Sequence, residues 1–460
     1  MVFHFPGVKF DLDKIKKYDT PTPRYTSYPP ATQLTSQFTE SDFQAAIAAS
    51  NQRKSPLSLY FHIPFCQSAC FFCGCNVVIS NNKNIVEPYL DYLVRDINKT
   101  ASKLLPDRRV DQIHWGGGTP NYLTIEQVQF LWKAINQNFT INPDAEISIE
   151  INPRYVDKSY IFSLREIGFN RISFGVQDFN RQVQVAVNRV QPDEMIFDVM
   201  RWIKQAKFES VNIDLIYGLP YQTLETFQET IKKTIQLDPD RIAVFNFAYV
   251  PWIKPVQKNI AQDALPAPQE KLEILKMTIE ELTSSKYLFI GMDHFAKPGD
   301  ELAIAQRNST LKRNFQGYTT QPQTELFGFG VTSISMLEDT YTQNHKELKE
   351  YYRAIDADIL PISKGIKLSC DDMIRRDIIM HIMSNLALDK QDIEQKYNIS
   401  FDNYFFHELE KLGCLEKDGL VELSTKHIKI TDIGRLLVRN IAVIFDTYKT
   451  TQDKKFSRAI

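Results

Sequence analysis

The sequence predicts an α/β protein built on a complete or partial TIM-like (β/α) barrel, with an N-terminal extension and a small, mainly helical C-terminal domain. Three observations carry this reading. Short apolar or alternating runs recur along residues 57–292, segments of helical spacing separate most of them, and the alternation stops after about residue 370. Strands alternating with helices form βαβ units and hence a parallel sheet. Six or seven such units suit a barrel better than a short open sheet.

The elements follow in order. Residues 1–55 are polar and punctuated by proline, with one aromatic-rich stretch, Pro23-Arg24-Tyr25-Thr26-Ser27-Tyr28-Pro29. They are expected to form an extension that folds over the barrel mouth as a lid. The strands are LSLYFHI (57–63), VDQIHW (110–115), AEISIEI (145–151), RISFGV (171–176), SVNIDLIYG (210–218), RIAVFNF (241–247) and YLFIGM (287–292). Between them, segments such as IVEPYLDYLVRDINKTASKLL repeat apolar residues three and four apart, the helical period. The barrel and the segments that follow it are expected over 56–365.

Residues 366–460 read as a separate helical domain. DDMIRRDIIMHIMSNLAL, DIEQKYN and YFFHELEKLGCL are expected helices, GLVEL and KHIKIT a strand pair, and IGRLLVRNIAVIFDTYK a closing helix. Helices followed by a hairpin suggest a winged-helix-like arrangement. Its mixed charge and lack of a basic stripe favour a packing role over nucleic-acid binding.

Charge narrows the function further. Lys and Arg number 54 against 56 Asp and Glu, a net charge of −2, which excludes a generally polyanion-binding surface. The N-terminus, MVFHFPGVKFDLDK, has neither a basic nor an apolar signal region, and no run approaches the roughly 20 apolar residues of a membrane span. A cytoplasmic, reduced chain with no membrane partner is therefore expected. No long heptad or exposed apolar stripe demands a second copy, so a monomer is expected.

The six cysteines are too few for a disulfide scaffold, but four of them, Cys66, Cys70, Cys73 and Cys75, share one ten-residue window. Cys370 and Cys414 stand alone and are expected to be inert buried thiols. The window begins in the loop after the first strand, with the spacing C-x3-C-x2-C. Structural zinc uses two pairs a dozen or more residues apart, and no second pair exists. A thioredoxin-type C-x-x-C leaves the other two cysteines unexplained. An iron–sulfur cluster held by one compact loop fits best, with one iron left open to a small molecule.

That spacing resembles the hallmark of radical S-adenosylmethionine enzymes, in which the cofactor's amino and carboxylate groups chelate the open iron. YFHIPFC…CFFCGCN, HWGGGTP, SIEINPR, GVQDFN, NIDLIYGLP, GMDHFAKP, NFQGYTT and PRYTSYP together resemble the oxygen-independent coproporphyrinogen III oxidases, from about residue 20 to the C-terminus. A related haem-chaperone branch shares the three-cysteine loop but lacks Cys75 and the PRYTSYP extension.

The resemblance implies a 4Fe-4S cluster on Cys66, Cys70 and Cys73. It implies a first S-adenosylmethionine against Tyr60, Gly117, Glu150, Ala248 and Ile334, and a second against Phe72, Gly118, Thr119, Gln177, Arg189 and Asp214. It implies oxidative decarboxylation of the ring A and B propionates of coproporphyrinogen III to vinyl groups, by way of a 5′-deoxyadenosyl radical. The product is protoporphyrinogen IX, in haem biosynthesis, and a reduced flavodoxin or ferredoxin-type partner supplies electrons.

The strand reading offers an independent check, because barrel active sites lie at the C-terminal ends of strands. Gly116 to Thr119, Glu150, Gln177, Asp214 and Asn246 with Ala248 all stand at or near those ends. Cys75 and Tyr60 are candidate catalytic residues; a packing role for Cys75 stands as the alternative. Tyr60 and His62 share a strand face, and His62 is expected to be a hydrogen-bonded core histidine. The substrate carboxylates call for guanidinium partners and its macrocycle for aromatic walls. Arg24, Tyr25 and Tyr28, and Arg313 with Phe315 and Tyr318, are the candidates. Two rival readings remain: a haem chaperone on the same scaffold, and a zinc-binding nucleic-acid module.

Overall fold

The computed structural model describes residues 2–5, 7–321 and 323–449. Met1 and Pro6 of the expected extension, Pro322, and residues 450–460 of the expected helical domain lie outside the described residues. The chain forms two compact units, each discontinuous in sequence. One comprises residues 34–267 and 323–367, the other 1–33, 268–322 and 368–460. Linear domains at 1–55, 56–365 and 366–460 were the expectation from sequence; the expected extension is thus shared between the two units.

The first unit is built on seven parallel strands: β1 (Leu57–Ile63), β2 (Arg109–Gly117), β3 (Thr140–Ile151), β4 (Arg171–Gln177), β5 (Ser210–Tyr217), β6 (Arg241–Asn246) and β7 (Glu325–Phe329). Their order is 6-5-4-3-2-1-7, continued past β7 by antiparallel strands Ile334–Met336, Thr340–Asn344 and Ile362–Lys367. All but one of the seven residues of β1 are buried, so both faces are covered and the run is apolar rather than alternating.

Helices α1 (Val86–Ala101), α2 (Ile125–Asn138), α3 (Lys158–Ile167), α4 (Asp193–Gln205) and α5 (Leu224–Leu237) join successive strands β1 to β6. Their starts are written locally. Thr124 and Thr223 form reciprocal capping boxes and Asp157 accepts from the Tyr160 amide, satisfying donors no helix can satisfy itself. α1 buries Val86, Tyr89, Leu90, Leu93 and Ile97, one stripe at helical spacing.

Two sequence expectations about the sheet need correction. The seventh expected strand, 287–292, is not one of its parallel strands. Leu288–Gly291 instead pairs antiparallel with His294–Ala296 inside the other unit. Gly291 and Met292 both take positive φ, so the chain doubles back at once and no crossover helix intervenes. The true seventh strand, ELFGF at 325–329, carries a charge at its start and a glycine inside, a weak strand signature. Gly328 is required there: a Cβ would sit 2.6 Å from the Ile334 carbonyl oxygen on the neighbouring strand.

The second unit packs Cys370–Asn385, Lys390–Tyr397 and Phe406–Lys417 as helices around one apolar core. The expected strand pair forms at Val421–Leu423 and His427–Ile430, and Ala387–Asp389 adds a third strand. The expected closing helix is not continuous. Turns occupy 432–437, and only Val438–Ala442 is α-helical before a 3-10 turn at Val443–Phe445. Gly434 passes so close to the Leu420 carbonyl that a Cβ would lie 2.0 Å from it, which forces the turn.

Cys370 and Cys414 are exposed, not buried as expected. Cys370 opens a helix at its outer end, and Cys414 lies on a helix whose buried side carries Leu412 and Leu415. Tyr25 and Tyr28 belong to the core of this unit, with hydroxyls on Asp446 at 2.9 Å and Thr447 at 3.0 Å. Candidate substrate walls in the sequence reading, they are packing residues here. Among the described residues, no helix is long and apolar enough to cross a membrane.

Candidate active site

The cysteine loop leaves β1 and returns at once. Phe65–Cys66 pairs in parallel with Val78–Ile79, and the amides of Val78 and Ser80 donate to the carbonyls of Pro64 (2.8 Å) and Cys66 (3.0 Å). The loop is moored again at its middle: the Phe71 amide donates to Val187 at 3.0 Å, and Asn188 Nδ2 donates to Ala69 at 2.8 Å. Gln257 Nε2 reaches the Phe72 carbonyl (3.5 Å) and Lys254 Nζ the Cys75 carbonyl (3.3 Å).

This loop walls a cavity of about 300 Å³ at the C-terminal ends of the strands. Of the residues singled out from sequence, Cys66, Cys70, Phe72, Cys73, Cys75, Gly117, Gly118, Thr119, Glu150, Gln177, Arg189 and Asp214 all line it. Tyr60, Ala248 and Ile334 do not. Tyr60 stands one side chain away: its ring stacks on His114 at 5.9 Å, and His114 bridges Ser148 (2.6 Å) and Glu150 (3.2 Å). Ile334 lies behind Tyr60, on the far side of Gly328, the β7 residue paired with Tyr60. The Ala248 carbonyl accepts from Gln257 at 3.2 Å, and that amide also holds Phe72.

His62 is the expected core histidine. Its Nε2 pairs with the Asn76 carbonyl at 3.1 Å and its Nδ1 with the Tyr60 hydroxyl at 3.0 Å. Burial pulls its pKa down to about 4, so it stays neutral near pH 7.

The thiols differ by environment. Burial pushes Cys66 up to about 11, although Thr119 Oγ1 lies 3.2 Å from its sulfur. Cys73 is pulled down to about 6, chiefly by hydrogen bonding from the Cys75 thiol, with help from the Cys75 amide, Lys254 and Arg189. Cys75 rises correspondingly, since its proton holds the neighbouring thiolate. Arg189 and Arg154 approach Cys70 Sγ at 3.6 and 3.8 Å. Cationic donors around sulfur stabilise the thiolate form that ligates iron. Three such thiols on one cavity wall fit a cluster held by a single loop. Among the described residues, no three His, Cys, Asp or Glu side chains close on a single metal ion.

The opposite wall suits a polar, cationic ligand. A Cβ at Gly118 would meet the Pro64 carbonyl oxygen at 2.6 Å, and Gly117 takes φ +117°, so backbone lines the cavity without side chains. Gln177 ends β4 in the left-handed region at φ +68°. The Gln177 amide group folds to where a Gly175 Cβ would stand, at 2.1 Å. Gln177 Oε1 and Arg189 Nε are buried and make no hydrogen bond. Asp214 accepts from Asn212 at 2.8 Å and is otherwise desolvated; burial first, then the charge of Glu150, pushes it up to about 7. Buried polar groups left this way mark a surface built to be covered.

The relatives of the chain point the same way. Residues 60–234 match the radical SAM superfamily, and residues 368–437 match the HemN C-terminal domain. An oxygen-independent coproporphyrinogen III oxidase of Synechocystis sp. (strain ATCC 27184 / PCC 6803 / Kazusa) is 58% identical, covering 100% of both chains. One of Escherichia coli (strain K12) is 49% identical, over 98% of this chain and 99% of the relative. The chain belongs to the oxygen-independent coproporphyrinogen III oxidases. A solved coproporphyrinogen III oxidase (HemN) from Escherichia coli, described as a radical SAM enzyme, superposes with a TM-score of 0.93 at 48% identity, covering 96% of this chain and 100% of that one. Membership carries with it a 4Fe-4S cluster and S-adenosylmethionine as cofactors, and the donor set above fits both.

Reading the sequence missed several cavity residues. Asn152 and Ser173 line the cavity, and Arg154, which does not, reaches the Cys70 sulfur from the loop after β3. Lys254 arrives from the loop after β6. Only Arg154 and Asn152 had a usable signal, standing where β3 ends. Among the substrate candidates, Arg24 pairs with Asp293, and Arg313 donates to the Tyr25 carbonyl at 3.2 Å while its guanidinium lies 4.7 Å from the Tyr318 ring centre. Phe315 occupies the turn between Lys312–Asn314 and Gly317–Thr319.

Proposed function

We propose that this protein oxidatively decarboxylates the ring A and B propionates of coproporphyrinogen III to vinyl groups, giving protoporphyrinogen IX. The observation that carries this reading is one cavity lined by four clustered thiols, two carboxylates, a backbone cradle of glycines and unpartnered Gln177 and Arg189 atoms. When bound, the cluster and two S-adenosylmethionine molecules supply the one-electron and hydrogen-abstracting chemistry.

The residues of the chain do the placing. Cys66, Cys70 and Cys73 hold the cluster, with Arg154 and Arg189 directed at the Cys70 sulfur. Glu150, backed by His114 and Tyr60, and Asp214 meet the positive charge and the hydroxyls of the cofactor. Gly117, Gly118 and Thr119 let it approach backbone, and Gln177, Arg189 and Phe72 line the same cavity. Ala248 and Ile334 support this wall from behind. Cys75, the fourth thiol of the loop, also lines the cavity. No step requires a side-chain acid–base pair. The reading extends to a cytoplasmic monomer served by a reduced flavodoxin or ferredoxin-type donor.

Anaerobic incubation with coproporphyrinogen III, dithionite and S-adenosylmethionine tests it. Carbon dioxide, 5′-deoxyadenosine and protoporphyrinogen IX are expected together. Formation of none of these above the substrate-free background, with tight haem binding instead, would overturn it in favour of a haem chaperone.

A further inference from the structure

The barrel unit presents an unusual set of apolar side chains to solvent close to the cysteine loop. Trp252 is 72% exposed, Val185 56%, Ile253 55% and Tyr221 43%. Single exposed apolar residues are ordinary; several around one functional loop mark a contact surface.

The segments that carry them pack on the loop and on one another. Val183 and Val187, either side of Val185, share a buried cluster with Phe71 and Phe72 of the loop. The Tyr221 amide donates to Ala264 at 2.8 Å, beside Leu265 of the same cluster. The turn holding Trp252 and Ile253 continues into Lys254 and Gln257, which hold the Cys75 and Phe72 carbonyls. Each exposed residue is therefore the outer side of a segment whose inner side supports the cysteines.

Charge here runs against the rest of the molecule. Segments 181–188, 219–222 and 250–265 carry Arg181, Lys254 and Lys258 against one acid, Asp263, on a chain whose net charge is −2. Exposed apolar side chains on segments with an excess of basic residues suit a small, transient interface with an acidic partner.

We propose that this face docks an acidic one-electron carrier protein, which reduces the centre held by Cys66, Cys70 and Cys73. The proposal rests on the function proposed above, which needs electrons from outside the chain. In each encounter the carrier is oxidised by one electron and the cysteine-held centre is reduced by one. No covalent bond forms or breaks and no proton moves. Docking here sets the carrier against segments hydrogen-bonded directly to the loop that bears the thiols.

The test compares the unaltered holoenzyme with a Trp252→Ser/Ile253→Ser double variant and with Lys258→Glu. Anaerobic calorimetry measures binding of a reduced flavodoxin with an acidic surface, at low and high salt. Turnover is followed in parallel with either that flavodoxin or dithionite as reductant. The double variant should bind about tenfold more weakly, in the range of a lost interface anchor. Its flavodoxin-driven turnover should fall by a similar factor. Lys258→Glu should weaken binding severalfold at low salt, and the difference should shrink at high salt. Dithionite-driven turnover should not change in either variant.

Unaltered flavodoxin binding in both variants would overturn the proposal. So would an equal fall in dithionite-driven turnover, which would put these residues on the substrate's path, or loss of a self-associated form, which would make the face a contact between copies. Absence of dithionite-driven turnover in the unaltered protein would instead refute the proposed function, and the binding measurement would still decide the docking face.

Discussion

The two ends of one set of strands handle buried charge in opposite ways. At the N-terminal end, Glu325 opens β7 and is saturated with partners. It pairs with Arg53 at 2.6 Å and with Arg108 at 2.9 Å, accepts from Ser50, and accepts from the Glu338 amide at 3.2 Å. Burial alone pushes its carboxyl up, but hydrogen bonds from Ser50 and Arg53 more than offset this and hold it below its ordinary value. At the C-terminal end, Asp214 and Gln177 face the cavity, partly exposed, and have few partners. The first arrangement stabilises the fold, and the second leaves polar groups waiting for a ligand. Barrels divide stability and function between their two ends in this way.

Substitution of Cys70 by Ser should give the largest functional loss with the smallest structural one. Iron and sulfide content and turnover should collapse, while the melting temperature of the cluster-free protein stays the same. A large drop in that temperature would mean the loop is part of the stability core and would break the contrast.

Glu325→Ala attacks the other end. It strands Arg108, whose side chain has 0% exposure, so a loss of about 3–5 kcal/mol is expected by chemical denaturation. Turnover per folded molecule should be unchanged.

Asp214→Asn should do the reverse of Glu325→Ala. Cofactor affinity should fall about tenfold or more by equilibrium binding, whereas the ligand-free protein should gain stability at pH 8, on the order of 2–4 kcal/mol.

The pH dependence sharpens the comparison because the two signs differ. Asp214 has a native pKa of about 7, above its unfolded value, so the native state holds a proton there that the unfolded state has released. Its contribution is present below about pH 4 and is lost as pH rises toward 7. Asp96 and Asp178, each raised to about 6 chiefly by burial, act in the same direction. Glu325 is depressed, so its contribution is present at neutral pH and is lost in acid. Melting curves of Asp214→Asn and Glu325→Gln should therefore both converge on the unaltered protein in acid and, as pH rises, depart from it in opposite directions, Asp214→Asn upward and Glu325→Gln downward.

The smallest effect expected is at Gly118→Ala. Its Cβ meets backbone at Pro64, and shifting the start of the cysteine loop should cost about 1–3 kcal/mol. Cluster incorporation should also fall, as measured by absorbance.

Much of this was legible in sequence because the signals are local. The cysteine spacing, six strands with their intervening helices, and the acids and glycines near strand ends are short-range patterns. What was missed depends on pairing across long separations. ELFGF is a strand only because β1 and Ile334–Met336 flank it. The segment 287–292 looks like a barrel strand until positive φ at Gly291 and Met292 turns it back. Tyr25 and Tyr28 resemble substrate walls until Asp446 and Thr447, more than 400 residues away, take up their hydroxyls.

The sequence by itself determined the chemistry, because ligand type and spacing are covalent properties of one ten-residue stretch. It also determined the class of fold, because the periods of apolar residues are read along the chain. Only the tertiary structure decided which polar groups are paired and which are left waiting. Glu325, Glu150 and Asp214 are all acids in or beside apolar runs, and nothing local separates them. Their roles diverge because folding brings two arginines to the first and sets the other two on a cavity lined by four thiols.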